Sequence, residues 1–253
     1  MTDLAMSAVI FACLFGAALL RFWLRTVLPE QQLSPASRDL IKLGIGTIAT
    51  MTALVLGLLV ASATGSYNAE SRGLTEFSAR IIILDRVLAH YGPEAQQARS
   101  LLKVAVSDLI QNTWAKGSHS PAVGPTGARA ELLYEEIEGL VPKDDKQRAL
   151  QNRAIGIAGE LLETRWLMGE QVYSSSVSLP LLVVVVFSLM ITLASFGLHA
   201  PPNATILATF FLSALAVAAV MFLILEMYRP FGGLIPVSSA PLRFGIWAHR
   251  WDE

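Results

Sequence analysis

Charge is spread along this chain as long gaps around one dense block, and that pattern limits the fold more than any motif does. Between Glu170 and Glu226 there is no Asp, Glu, Lys or Arg, and none between Lys42 and Glu70; only Asp3 precedes Arg21. A bilayer core of about 30 Å takes roughly 20 apolar residues as a helix, so the first two gaps each hold one span and the last holds two. Tyr67 to Tyr173, by contrast, carries 26 of the 39 formal charges, the density of a soluble domain. The chain-wide figure of 15% charged residues therefore averages two unlike materials. It lies well below the ~25% of an ordinary soluble domain, and 53% hydrophobic residues exclude a disordered chain.

The expected fold is an all-α integral membrane protein: four transmembrane helices with an α-helical cytoplasmic extension between the second and third. Leu4–Leu20 continued by Phe22, Trp23 and Leu24 forms the first span, Leu43–Thr64 the second, Val177–Leu198 the third and Ala204–Leu225 the fourth. His199 to Asn203 is long enough only for an antiparallel hairpin turn. The expected segments are 1–66 (spans one and two), 67–173 (polar domain), 174–226 (spans three and four) and 227–253 (an interfacial end). Arg21, Arg25, Arg38 and Lys42 lie on one side of the membrane and Arg72, Arg80, Arg165, Arg229, Arg243 and Arg250 near the other. That balance favours termini and polar domain in the cytoplasm.

The insert reads as helices throughout. Leu74, Phe77, Ile81, Leu84, Leu88 and Tyr91 recur at three- and four-residue steps. Only Gly65 stands as a possible break between them and the second span, so this helix can extend that span into the cytoplasm. Gly92-Pro93 ends that helix and starts another, which runs to about Trp114. Lys116–Gly127 is a Gly/Pro/Ser-rich loop, and helices over Ala128–Leu140 and Lys143–Tyr173 complete the domain.

Chemistry-bearing motifs are absent. There is no phosphate loop, zinc-protease helix or nucleophile elbow. His90, His119, His199 and His249 lack ligand spacing, and the single Cys13 excludes a cysteine metal site and an intramolecular disulfide. No enzyme activity, cofactor or metal is expected, and a net charge of −1 gives no reason to expect nucleic acid as a partner. The partners expected are the lipid bilayer and further copies of the chain.

Span two is the most informative segment. At 100° per residue, Gly46, Ala49, Thr50, Ala53, Gly57, Ala61 and Thr64 share one arc of about 120°. Ile45, Ile48, Met51, Val55, Leu56, Leu58 and Leu59 lie opposite. Two readings stay open: small residues let helices approach closely in lipid, or they line a conduction path where the hydroxyls of Thr47, Thr50 and Thr64 meet an ion. No charge lies at the centre of any span, which disfavours a carrier with its own intramembrane carboxylate. Asp85-Arg86 suits an ion pair. Glu226 and Arg229 fit an i,i+3 pair, and the following Pro230, Phe231, Gly232, Gly233, Pro236 and Pro241 forbid a regular helix through Leu242. That apolar turn is expected to seat the polar domain.

Three stretches, GIGTIATMTALVLGLLVASATGSYNAE after Leu43, RIIILDRVLAHYGPEAQQAR from Arg80 and EMYRPFGGLIPVSSAPL from Glu226, resemble the bacterial bestrophin-like membrane proteins. The resemblance runs along nearly the whole chain. Bestrophins are pentameric anion channels with membrane helices around a central pore and a helical cytoplasmic region extending it. The resemblance therefore implies a homopentamer in the bacterial inner membrane that passes chloride-like inorganic anions, with span two as the pore wall. The family often has an acidic residue before Arg-Pro-Phe, where this chain has Tyr228. No aspartate cluster matches the calcium clasp of animal bestrophins. A stator-like subunit of a proton motor shares the four-span layout, and a non-conducting scaffold is the third reading.

Overall fold

The computed structural model describes residues 3–27, 35–114, 126–174, 179–199 and 203–247, and among them there is no strand. The helices are α1 (Asp3–Val27), α2 (Pro35–Tyr91), α3 (Gln96–Thr113), α4 (Thr126–Glu138), α5 (Asp145–Ser174), α6 (Leu179–His199), α7 (Ala204–Met227) and α8 (Ala240–Trp247), with a 3-10 turn over Pro93–Ala95. Most of the expected loop after Lys116, and the turn over 200–202, lie outside the described residues.

The chain forms two compact units: Met1–Gly65 with Ser176–Tyr228, and Ser66–Ser175 with Arg229–Glu253. In the first, membrane, unit α1 lies against α6 and α7. Ile10 and Leu14 of α1, Leu59 and Ala63 of α2, Val185 of α6 and Ala214, Met221 and Ile224 of α7 form its core. Phe211 of α7 meets Phe11 and Phe15 edge-on, with ring centroids 5.4 and 5.6 Å away, the arrangement that aromatic quadrupoles favour. Lipid offers no hydrogen-bond partners, so polar groups there are satisfied internally. The hydroxyls comply: Ser7, Thr52, Ser188, Thr192 and Thr209 each donate to the carbonyl four residues back. Asp3–Leu20, the apolar part of α2 and all of α7 are long and apolar enough to cross a membrane. In α6 the apolar run Pro180–Phe196 is shorter, within a helix of 21 residues that carries no charge.

The second, polar, unit is built on the stripe that the sequence shows. Leu74, Phe77, Ile81, Leu84, Leu88 and Tyr91 are all buried, together with Ala98, Leu102 and Val106 of α3, Leu133 and Ile137 of α4, and Ala154, Ala158 and Leu161 of α5. Gly92 turns the chain at φ +126° and ψ −172°, a conformation open in practice only to glycine. Asp85 then takes a two-pronged bond from Arg99, Nε to Oδ1 at 3.0 Å and Nη2 to Oδ2 at 3.2 Å, which ties α2 to α3 across the turn. Buried Gln151 of α5 stops α4: its Nε2 donates to the carbonyls of Ile137 (3.1 Å), Glu138 (3.1 Å) and Leu140 (2.7 Å). The first two are among the carbonyls a helix end leaves without intrahelical partners, and Leu140 lies in the turn just beyond.

The sequence left one point open and one expectation is corrected. Gly65 makes no break, so the second span continues into the polar unit's stripe as one helix of 57 residues. A single glycine costs a helix only about 1 kcal/mol relative to Ala, too little to interrupt so long a segment. The chain is also helical from Ala240, before Leu242, because Pro241 falls in the first turn of α8, where its missing N–H is not needed.

Candidate functional site

The small face of α2 stands open. Gly46, Thr47, Thr50, Ala53, Gly57 and Ala61 are exposed within the chain, and Ala49 is half-buried. A methyl group built on Gly46 or Gly57 would meet nothing within 4 Å. The buried α2 residues of the membrane unit are others, Ile45, Thr52, Leu59 and Ala63, with Val55, Leu56 and Val60 partly buried against its core. On the helical wheel the buried four centre about 120° from the centre of the small face. Thr64 is the exception among the sequence candidates. It is half-buried, and its hydroxyl lies 3.7 Å from the Met227 sulfur. From the edge of the small face toward the opposite side, large apolar residues are also exposed: Leu54, Leu58 and Met51, the first two about 70% exposed.

The threonine hydroxyls on this face are already committed as donors. Thr47 donates to the Leu43 carbonyl (3.0 Å), Thr50 to Gly46 (2.8 Å) and Thr64 to Val60 (2.8 Å). A hydroxyl has one proton, so in this arrangement Thr47 and Thr50 present lone pairs outward. Ser62 and Tyr228 share a hydrogen bond of 3.2 Å, which fixes the end of α7 to α2. Tyr228, where an acidic residue is usual in the resembled family, therefore has a neutral structural partner.

The remaining candidates lie on other surfaces. Asp85 and Arg99 belong to the polar unit and are engaged with each other, while Arg86 is exposed. Glu226 is buried at the end of α7, beside Ile224 and Leu225 in the sequence, and Arg229 is exposed. Pro230 and Phe231 are buried as part of a strap that runs from Arg229 to Leu242. Val237 N–H closes the strap by donating to the Pro230 carbonyl at 2.6 Å. Trp114, the C-cap residue of α3, holds it: the indole Nε1 donates to the Val237 carbonyl at 2.8 Å, and its ring meets Phe231 edge-on with centroids 5.6 Å apart. Val237 and Leu242 are buried in the core of the polar unit.

Sequence reasoning missed Trp114, Gln151 and Glu70 as structural or functional groups. For Trp114 and Gln151 no local signal existed, since the partners lie on other elements. Glu70 carried one: it stands four residues before Leu74, on the same helical stripe. It is buried, and its Oε2 meets no hydrogen-bond partner.

These features define an all-helical membrane protein with a polar helical unit carried on one of its spans. A Bestrophin-like domain matches residues 12–242, and the chain belongs to that family. Its fold is shared with crystal structures of a bacterial bestrophin homologue from Klebsiella pneumoniae. A tryptophan-to-alanine variant of that protein superposes with a TM-score of 0.69 at 14% identity, covering 98% of each chain. An isoleucine-to-threonine variant gives 0.66 at 15% identity, covering 97% of this chain and 96% of the other. No curated protein matches the chain.

Proposed function

We propose that this protein is an oligomeric, passive ion channel of the bacterial inner membrane, a homopentamer that conducts small inorganic anions, with the small face of α2 around the central axis. The observation that carries this reading is the open face itself. Among the described residues Gly46, Thr50, Ala53, Gly57 and Ala61 are exposed, and a methyl on either glycine meets nothing within 4 Å. Small residues at membrane helix surfaces serve close approach or leave room, and neither use is made of them inside one chain. A ring of copies serves both, with one edge of α2 packing on the next subunit and the other lining the axis. Family membership supports a channel over an enzyme, stator or scaffold, and resemblance to the bestrophins supports anions and five copies. The termini and polar unit are assigned to the cytoplasm on the arginine balance.

The donor-committed hydroxyls favour a second reading for selectivity. Lone pairs from Thr47 and Thr50 suit a cation, and an anion would have to draw those protons away from the helix carbonyls. The deciding experiment is flux from vesicles that hold the purified protein, with chloride, potassium and protons tested separately. Chloride flux supports the proposal and potassium flux the second reading. No flux of either from correctly inserted oligomers overturns the channel.

A further inference from the structure

Glu70 is the first charge after the second span, six residues beyond Thr64, and it is only 7% exposed. It heads the stripe that continues through Leu74, Phe77, Ile81, Leu84 and Leu88, the packing side of α2 in the polar unit. Close by, Gly73 stands where an added methyl would lie 3.4 Å from the Met168 methyl of α5, so the two helices pack tightly at this level. The Glu70 Oε2 is sealed from solvent and has no hydrogen-bond partner among the described residues. An ionised carboxylate in such a place is disfavoured relative to a neutral one.

The charged groups around it do not relieve this. On α2, Arg72 Nε donates to the Asn68 carbonyl at 3.2 Å, and Glu76 is exposed. Arg80 is engaged with α5, donating to Thr164 at 2.9 Å and lying 3.4 Å from Glu160. Burial holds the Arg165 guanidinium of α5 below its ordinary value, with Glu131 of α4 opposing that shift. In the strap and α8, Arg229 and Arg243 are exposed. Burial is the one influence resolved on the Glu70 carboxyl, and it pushes the group above the ordinary glutamate value of 4.5.

We propose that Glu70 is a proton-binding regulatory site: with its proton on, α2 packs on the core of the polar unit, and loss of the proton loosens that packing. Conduction follows because one unbroken helix carries both Glu70 and the Gly46–Ala61 face. Only this last step rests on the channel reading.

The packed state holds the proton more tightly than the loosened one. Raising the pH through the window that starts near 4.5 and ends at the raised value therefore favours loosening. Within that window the equilibrium moves by up to about tenfold per pH unit.

The test uses the full-length protein in lipid nanodiscs and vesicles. Hydrogen exchange of residues 66–81, corrected for intrinsic rates, is compared between wild type and Glu70→Gln from about pH 5 to about pH 8. Wild type is expected to lose protection by up to about tenfold per unit, while Glu70→Gln, which cannot ionise, stays protected throughout. Glu70→Leu, an apolar replacement, should behave like Glu70→Gln and guards against a failure of either variant to fold. In infrared spectra at low pH, a neutral-carboxyl band present in wild type and missing from both variants identifies the proton directly. Parallel pH profiles in wild type and variants overturn the proposal, as does a missing band. Pairing the expected exchange result with ion flux whose pH dependence the variants abolish supports both steps. The expected exchange result with no flux of any ion keeps the site and overturns the channel reading. Flux in wild type that is independent of pH, with exchange as expected, overturns the regulatory step.

Discussion

Gly57 offers the cleanest separation between what one chain needs and what an assembly needs. Within the chain a Cβ at Gly57 meets nothing within 4 Å. Gly57→Ala therefore brings no clash, and the change in helix propensity alone favours the single chain by about 1 kcal/mol. Any loss it produces must come from outside the chain. Gly57→Leu extends the test: if the face lies against another copy, over-packing costs about 1–3 kcal/mol per interface, or roughly 5- to 150-fold in each association step. If the face lines water at the axis instead, assembly is kept and the added side chains narrow the path. The assays are native mass spectrometry of the detergent-solubilised protein for assembly and vesicle flux for conduction. Gly57→Ala is expected to leave monomer thermal stability equal or higher, and Gly57→Leu to lower either oligomer occupancy or flux at least fivefold. Two results refute the reasoning. A destabilised Gly57→Ala monomer would mean that the face packs within its own chain. Full assembly with full flux in Gly57→Leu would leave the face in contact with lipid.

Three further outcomes follow from the polar unit. Trp114→Phe removes the 2.8 Å bond to Val237 while keeping a ring against Phe231; it should cost about 1–2 kcal/mol and raise hydrogen exchange selectively over residues 229–243, whereas an unchanged pattern would show that the bond does not hold the strap. Gly92→Ala forces a side chain into φ +126° at about 1–3 kcal/mol, so the polar unit should melt earlier, with Gly92→Asn no better; an unaltered midpoint speaks against the strained turn. Arg99→Ala strips the fork from a carboxylate whose side chain is 20% exposed, and a loss of about 1.5–3 kcal/mol is expected. A cycle with Asp85→Asn should recover part of that loss, because the double variant leaves no uncompensated charge.

Composition and periodicity decide a good deal in this molecule. The charge gaps dictate spans because a charged group inside a bilayer is costly, and the stripe from Leu74 to Tyr91 dictates a packed helix because a 3.6-residue period aligns it on one side. Gly92-Pro93 was legible for the same local reason: one residue admits the left-handed turn and the next suits a helix start. The small face of α2 was equally legible as a pattern. Whether it was covered was not, since burial depends on which neighbours arrive. Ile45, Thr52, Leu59 and Ala63 do the intrachain packing, a stripe that the sequence does not distinguish from the apolar residues around it.

Position in space decided the rest. Trp114 and Val237 are 123 residues apart, and Gln151 caps a helix to which it does not belong. Neither relation leaves a local mark, because a hydrogen bond is set by where two atoms end up and not by their spacing along the chain. Glu70 shows the boundary between the two kinds of information. Its sequence place on the apolar stripe follows from helical period alone, and that period turns it toward the core. Only the tertiary structure shows that nothing there accepts or donates to its Oε2, because the absence of a partner is a property of the whole packed unit. The sequence by itself determined the membrane spans, the helical insert and the pattern on α2. The tertiary structure decided which faces are filled, which stay open, and which carboxyl groups are buried.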